Sequence, residues 1–107
     1  MSVVLVETYV LKVEKQVGFD PLLNEFVDYK KSHPELFDGV LSWKLYEQKF
    51  GSVGGMYVEM WEYESLAQVD AVNKRIFEDD VMKRINLEFH QLVEPATFSA
   101  CVWNSVA

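Results

Sequence analysis

The sequence has few of the features needed to bind nucleic acid or to enter a membrane. Its 107 residues include ten Lys and Arg against seventeen Asp and Glu, a net charge of −7. Because phosphate binding requires clustered positive charge, a nucleic-acid partner is not expected. No apolar run approaches the roughly 18 residues of a membrane span, and no basic segment precedes the N-terminal apolar stretch. We therefore expect no membrane association and a cytoplasmic location.

Cysteine is almost absent, and the common catalytic motifs are missing. The single Cys101 cannot form an internal disulfide and has no Cys or His at metal-ligand spacing. Its apolar strand context favours a small buried hydrophobic residue over a reactive thiol. No glycine-rich loop precedes a helix, and no serine has the surroundings of a nucleophile elbow. We expect no cofactor.

Apolar and aromatic residues are plentiful. Half of the residues are hydrophobic and 14% are aromatic, which suits one globular domain spanning residues 1–107 with a large interface or a ligand cavity. Alternating patterns predict strands at Val3–Val13, Val40–Phe50, Met56–Tyr63 and Thr97–Val106. Helices are predicted from Asp20-Pro21 to Ser32, and from Ser65 to Glu94-Pro95 with a break at Glu78-Asp79-Asp80.

The element order is therefore β-α-β-β-α-β, the ferredoxin-like split βαβ arrangement of the α+β class. Its helices can cover only one face of a four-stranded antiparallel sheet. The other face carries mainly aliphatic side chains, which would leave an apolar patch in water. We predict that two copies associate through this face into a homodimer. Its residues are Val4, Val6, Val10, Met56, Val58 and Met60.

Several segments resemble the dimeric α+β barrel superfamily. Val6–Lys12 and Met60–Leu66 are similar to the strand-one and strand-three signatures of NIPSNAP-type domains. Phe37–Val40, together with Trp61 and the helix start at Asp80–Lys83, resembles the antibiotic-biosynthesis monooxygenase branch, including its haem-degrading members. The resemblance spans nearly the whole chain and implies a homodimer with one cavity per subunit, between the sheet and its own helices.

The resemblance also implies site residues. In haem-degrading members an Asn on strand one, a Trp on strand three and a His on the second helix form the working site. The Trp position matches Trp61, but the Asn position falls on Glu7 and the His position falls on or near Asn86. Asn cannot replace imidazole as an axial iron ligand, so haem degradation is not expected. His90 lies one turn further on, but its helical position is well away from the predicted buried arc.

Two carboxylates are candidates for chemistry. Glu7 and Glu59 should share one face of strands one and three, which we expect to be adjacent and parallel. Such a pair would raise one pKa and create a general acid or base. The alternatives are solvated or lysine-paired carboxylates and, with oxygen ligands alone, a divalent metal. We predict acid–base or substrate contact for this pair and no metal site.

Aromatic residues flank these carboxylates. Trp61 and Tyr9, near the middle of the sheet, are predicted to line a cavity, whereas Tyr57 and Tyr63 fit plain core packing. His33 lies at the C-terminus of the first helix, where a cation is favoured. Helix capping explains this residue, and contact with a substrate is the alternative.

Two functions remain open from the sequence. The first is a NIPSNAP-like homodimer that holds a small hydrophobic or aromatic ligand without converting it. The second is an organic-cofactor-free monooxygenase or isomerase-like enzyme, in which Glu7 transfers a proton while Trp61 and Tyr9 position the substrate. Ligand-responsive regulators share the topology but usually carry a DNA-binding domain, which is not seen in this chain. An RNA-recognition module would need a basic, aromatic strand.

Overall fold

The computed structural model describes residues 2–51 and 55–107. It contains strands β1 (Val3–Val10), β2 (Val40–Glu47), β3 (Met56–Tyr63) and β4 (Ser99–Asn104), and helices α1 (Phe19–Ser32), α2 (Leu66–Glu78) and α3 (Asp80–Leu92). Short 3-10 turns occupy Val13–Gly18, Pro34–Phe37 and Pro95–Thr97. The predicted α+β ferredoxin-like fold is confirmed. No helix of the described residues is long and apolar enough to cross a membrane.

The element ends differ from the predicted ones by a few residues. The bounds of β3 match the prediction, but β1 ends at Val10 because Val13–Gly18 turns into a 3-10 helix. The second strand ends at Glu47 rather than Phe50. The predicted hairpin connection at 51–55 lies partly outside the described residues, since 52–54 are not among them.

The sheet has the order β2-β3-β1-β4, and each neighbouring pair is antiparallel. The expectation that strands one and three run parallel is therefore wrong. The chain returns from β2 to β3 by a short connection, and α1 carries it from β1 to the far edge of the sheet. The predicted adjacency of these strands is correct. Glu7 lies directly opposite Glu59 in the β1–β3 register.

Helices α2 and α3 are separated by a capped break, as the acidic run Glu78-Asp79-Asp80 predicts. The side chain of Asp79 accepts a hydrogen bond from the backbone N–H of Met82 at 3.1 Å, which starts α3. Asp79 also accepts a hydrogen bond from the hydroxyl of Tyr29 at 2.8 Å, which ties α3 to α1. Ser65 precedes α2 as predicted, but its side chain makes no capping hydrogen bond.

The hydrophobic core lies between the helices and one face of the sheet. Odd-numbered residues of β1 and β3 point toward the helices, and Tyr9 and Tyr63 are each only 1% exposed. The core continues into the helices through buried apolar residues that recur at helical spacing. These are Leu22 and Phe26 of α1, Val69, Val72 and Ile76 of α2, and Met82 and Ile85 of α3.

No helix of the described residues covers the opposite face of the sheet. We call it the open face: Val4, Val6, Val10, Met56, Val58 and Met60, with Tyr46 and Trp103 beside them in register. Met60 is 38% exposed and Trp103 is 61% exposed. Cys101 is also exposed, so the expectation that it is buried is wrong. It belongs to the edge strand β4, in which every residue is exposed.

Candidate functional site

A cavity of about 210 Å³ lies between the covered face of the sheet and the helices. Strands β1, β2 and β3 supply its floor, and all three helices supply its walls. Most of its lining is aliphatic or aromatic, with a small number of polar groups. The lining residues are Leu5, Glu7, Tyr9, Phe19, Leu22, Leu23, Phe26, Trp43, Leu45, Glu59, Trp61, Tyr63, Asn73, Ile76, Phe77, Met82, Ile85, Asn86, Phe89 and His90.

Glu59 is held by two hydrogen bonds on the cavity floor. Its carboxylate accepts one from the hydroxyl of Tyr9 at 2.8 Å and one from the indole N–H of Trp43 at 2.9 Å. No ion pair among the described residues involves Glu59, so the lysine pairing considered from the sequence is not formed. Two donors aimed at one carboxylate fix its position on the cavity floor.

Glu7 has a different environment although it faces Glu59 across the strand pair. Burial, reinforced by the negative charge of Glu59, raises the pKa of Glu7 from 4.5 to about 7. The nearby indole N–H of Trp61 offsets part of this rise in pKa because it favours the charged form. Glu7 accepts no hydrogen bond of normal geometry from the described residues. Near neutral pH the carboxyl of Glu7 therefore gains and loses a proton.

Trp61 buries a polar atom in the lining of the cavity. Its side chain is 9% exposed and packs against the rings of Phe26, Phe37 and Trp43 at centroid distances of 5.9, 6.3 and 6.0 Å. The buried indole N–H has no hydrogen-bond partner of normal geometry among residues 2–51 and 55–107. A buried unpaired donor costs free energy, so this atom is available to an acceptor that enters the cavity.

The tyrosines divide into cavity and non-cavity groups. Tyr9 and Tyr63 line the cavity, and burial together with nearby carboxylates raises their pKa values, that of Tyr63 to about 12. Both phenols therefore stay neutral at physiological pH. Tyr63 was expected only to fill the core. Tyr57 is outside the lining, and its hydroxyl donates to Glu47 at 3.0 Å near the end of the hairpin.

Helix α3 contributes Asn86 and His90 to the same cavity. His90 is solvent-exposed, in agreement with a helical position away from the buried arc, yet it is one of the lining residues. It lies four residues after Asn86, and its ring contacts those of Phe89 and Phe98 at 5.3 and 5.5 Å. The i,i+4 spacing from Asn86 was the signal in the sequence that could have placed it.

His33 is not in the cavity lining. It follows the last residue of α1, and its ring stacks on Tyr29 at a centroid distance of 4.0 Å. Its backbone N–H donates to the carbonyl of Tyr29 at 3.0 Å. This position agrees with a helix-end role for His33, which has no contact with the cavity.

The lining residues that were not singled out from the sequence include Trp43, Asn73 and Phe77. Trp43 of β2 alternates with Ser42 and Lys44, a pattern that marks the covered face once the strand register is known. Asn73 and Phe77 lie four residues apart on α2, beside the buried Ile76. Their spacing places them on one side of α2, but the sequence alone does not reveal where the helix crosses the sheet.

The site thus combines a hydrophobic enclosure with a carboxylate pair and a free indole donor. Within the described residues no group of three or more Cys, His, Asp or Glu is arranged to hold a metal ion. The arrangement can enclose an apolar ring, accept or give a proton at Glu7, and donate a hydrogen bond from Trp61.

Several solved structures share this fold. A NIPSNAP family protein from Agrobacterium tumefaciens matches with a TM-score of 0.77 and 16% identity, covering 98% of this chain and 86% of that one. An antibiotic biosynthesis monooxygenase matches with a TM-score of 0.72 and 15% identity, covering 98% and 99%. A cofactor-independent oxygenase from Streptomyces nogalater matches with a TM-score of 0.68 and 9% identity, covering 99% and 94%.

These structures confirm the resemblance to NIPSNAP and antibiotic-biosynthesis monooxygenase domains at the level of the fold. No family model and no curated protein matches the sequence. At identities of 9–16% the likeness concerns the path of the backbone. The activity has to be argued from the cavity.

Proposed function

We propose that the protein is a homodimer of NIPSNAP-like type that binds a small hydrophobic or aromatic molecule in the sheet–helix cavity. The observation that carries this proposal is the partly buried carboxyl of Glu7 near the indole N–H of Trp61, in a mainly apolar enclosure. Apolar cavities with a few convergent polar groups are typical ligand sites. A ligand in contact with both groups would satisfy atoms for which residues 2–51 and 55–107 provide no hydrogen bond of normal geometry.

The volume of the cavity limits the ligand. A cavity of about 150 Å³ accommodates benzene in another protein, and this one measures about 210 Å³. One ring with a short substituent fits that volume, whereas a multi-ring polyketide exceeds it. The flanking rings of Tyr9, Trp43 and Phe89 favour an aromatic guest.

The homodimer is proposed to form through the open face. Its central residues Val6, Val58 and Met60 lie on adjacent strands, so their apolar surface is continuous. A second copy is the partner we propose, because a two-fold axis would pair this apolar surface with itself. The covered face of each subunit would keep its own cavity.

A second candidate function is catalysis without an organic cofactor. It is favoured by the pKa of about 7 at Glu7, which suits a general base at neutral pH. The carboxylate of Glu7 would take a proton from an acidic C–H or O–H of the bound substrate, while Trp61 and Tyr9 position it. That step is shared by isomerisation and by oxygenation of an ionisable substrate.

Binding can be tested with benzyl alcohol, a neutral single-ring probe, followed by ligand-observed NMR and native mass spectrometry. We expect one molecule per subunit. Trp61→Phe removes the indole donor, and Glu7→Gln replaces the carboxyl by an amide that is a weaker acceptor than a carboxylate, so each should weaken binding several-fold. Glu62→Gln is the matched control, since Glu62 lies on the same strand as Glu59 but bonds to Ser2 and Ser42 instead. Equal binding by all four proteins, with the fold intact, would refute the cavity proposal.

Catalysis can be separated from binding with phenylacetone, a single-ring ketone with acidic C–H groups. In D2O the wild-type protein should accelerate exchange of these hydrogens about 10²-fold or more over buffer, a typical contribution of a positioned base. Glu7→Gln should return the rate to that of buffer. Exchange at the buffer rate with bound ketone would refute the enzyme candidate and leave the binding proposal intact.

A further inference from the structure

The titratable groups that line the cavity are carboxyls and phenols, with a single histidine. They are Glu7 and Tyr9 of β1, Glu59 and Tyr63 of β3, and His90 of α3. Helices α1 and α2 and strand β2 contribute no titratable side chain to the lining, and none of the described lining residues is Lys or Arg. Of the five titratable residues only His90 is solvent-exposed. A bound anion would therefore meet carboxyl groups and no permanent positive charge.

The aromatic rings of the lining also favour a bound cation. Aromatic faces attract cations through the negative potential above the ring, most strongly for Trp. Trp43 and Trp61 both line the cavity, with their ring centroids 6.0 Å apart. The net charge of −7 on the whole chain would also favour the approach of a cation over an anion.

We infer that the cavity selects small aromatic amines in their protonated form, with the Glu7–Glu59 pair as the counter-charge. This inference rests on the proposed binding function and specifies the class of ligand. The ring would occupy the aromatic enclosure, and the ammonium group would lie between the carboxyls of Glu7 and Glu59. Tyr9 and Trp43 hold the carboxylate of Glu59 in place. Glu7 is therefore the carboxyl that changes its position or its protonation when the amine binds.

Binding of a cation would also change the state of Glu7. A positive charge beside this carboxyl favours loss of its proton. The charged carboxylate would then be a stronger acceptor for the nearby indole N–H of Trp61, which lacks a partner in the empty cavity. Amine binding and proton release are therefore coupled, a signature that a neutral ligand would not produce.

Three probes of nearly equal size test the inference: benzylamine, benzyl alcohol and benzoate. At pH 7 they carry a positive charge, no charge and a negative charge. We expect benzylamine to bind about tenfold more tightly than benzyl alcohol, in line with the gain from a charge-assisted hydrogen bond in a buried site. Benzoate should bind more weakly than the alcohol. Equal affinities for amine and alcohol would overturn the inference while leaving the proposed function standing, whereas no binding of any probe would overturn both.

Isothermal titration calorimetry in buffers of different ionisation enthalpy measures the proton release. Benzylamine should release up to about half a proton at pH 7, because Glu7 is then about half protonated, and less at pH 8.5. Glu7→Gln should abolish the release, and Glu59→Gln should remove most of the preference for the amine. Glu62→Gln should keep both properties. Unchanged amine preference in both cavity variants would contradict the inference, and the three-probe series on the wild-type protein decides it if a variant fails to fold.

Discussion

The two faces of the sheet are built from alternate residues of the same strands, yet they differ in kind. Val6 and Met60 lie on the open face, and their immediate neighbours Glu7 and Glu59 lie on the covered face. On the open face the polar side chain of Glu62 bonds to serines near the edge. On the covered face Glu59 bonds to Tyr9 and Trp43, whereas the carboxyl of Glu7 lies near the indole N–H of Trp61.

This difference shows that a covering layer of helices changes how much water reaches a side chain. A carboxyl under the helices loses water, so its pKa rises and its chemistry depends on neighbours a few ångströms away. Apolar residues on the open face keep contact with water until another surface covers them. Substitutions on the open face should therefore change the association of two copies, whereas substitutions on the covered face should change core packing, proton binding and ligand contacts.

The largest effect is expected from Val58→Lys on the open face. In the proposed dimer each interface would bury two unpaired ammonium groups, one from each copy, and each costs several kcal/mol. We expect the variant to be monomeric or aggregated at micromolar concentration. Size-exclusion chromatography with light scattering measures the mass directly.

Leu87→Lys is the matched control for that experiment. Leu87 is exposed on α3, away from the open face, so the same type of substitution should leave the dimer intact. A native-like dimer of Val58→Lys would count against pairing through the sheet. Loss of the dimer in both variants would place the interface elsewhere.

The next effect concerns the core of the covered face. Trp61→Ala should lower the free energy of unfolding by about 3–5 kcal/mol, because it deletes a large buried side chain and leaves a cavity. Trp103→Ala, on the exposed strand β4, should cost less than about 1 kcal/mol in the Val58→Lys monomer. Chemical denaturation of both variants in that background gives the comparison. Equal losses would mean that Trp61 does not belong to the packed core.

The division into two faces could be predicted from the sequence because strand alternation is local. Apolar residues at every second position of β1 and β3 indicate which residues share a face, and the residues of the two faces sort as predicted. The capped break at Asp79 was readable for the same reason, since a cap depends on residues within one turn.

Other parts of the site depend on distant contacts. The hydrogen bond from Trp43 to Glu59 requires the register of β2 against β3, which is set by the whole sheet. The position of His90 depends on how α3 crosses the sheet, and a helical wheel centred on the most apolar residues places it outside the buried arc. Cys101 has an apolar neighbourhood in sequence but lies on an edge strand that no helix covers.

The pH dependence of stability tests the covered face through charge alone. The pKa of Glu7 is higher in the folded protein, about 7, than the 4.5 of an unperturbed carboxyl, so the folded state binds this proton more tightly. Its contribution to stability is fully present below pH 4.5 and is lost as the pH rises through 7. Glu7→Gln lacks this loss. Relative to wild type, it should gain up to about 3 kcal/mol between pH 4.5 and 8.

Denaturant melts of both proteins at several pH values measure this gain. Glu62→Gln serves as the control, because its carboxylate is on the open face and bonds to hydroxyl groups. It should show a much smaller change over the same range. A constant difference between Glu7→Gln and wild type would mean that Glu7 remains solvated and that its proton is not held by the fold.

The smallest predicted effect comes from Tyr9→Phe, which removes one hydroxyl from the covered face. Glu59 would lose one of its two donors, at a cost of about 1 kcal/mol of unfolding free energy, the usual value for one hydrogen bond. Tyr46→Phe, which removes the same atom from an exposed residue of the open face, should be nearly neutral. The carboxylate of Glu59 would be held less firmly, so amine binding should weaken in Tyr9→Phe and not in Tyr46→Phe. Equal effects of the two substitutions would mean that the hydroxyl of Tyr9 does not fix the carboxylate, and that Trp43 alone positions it.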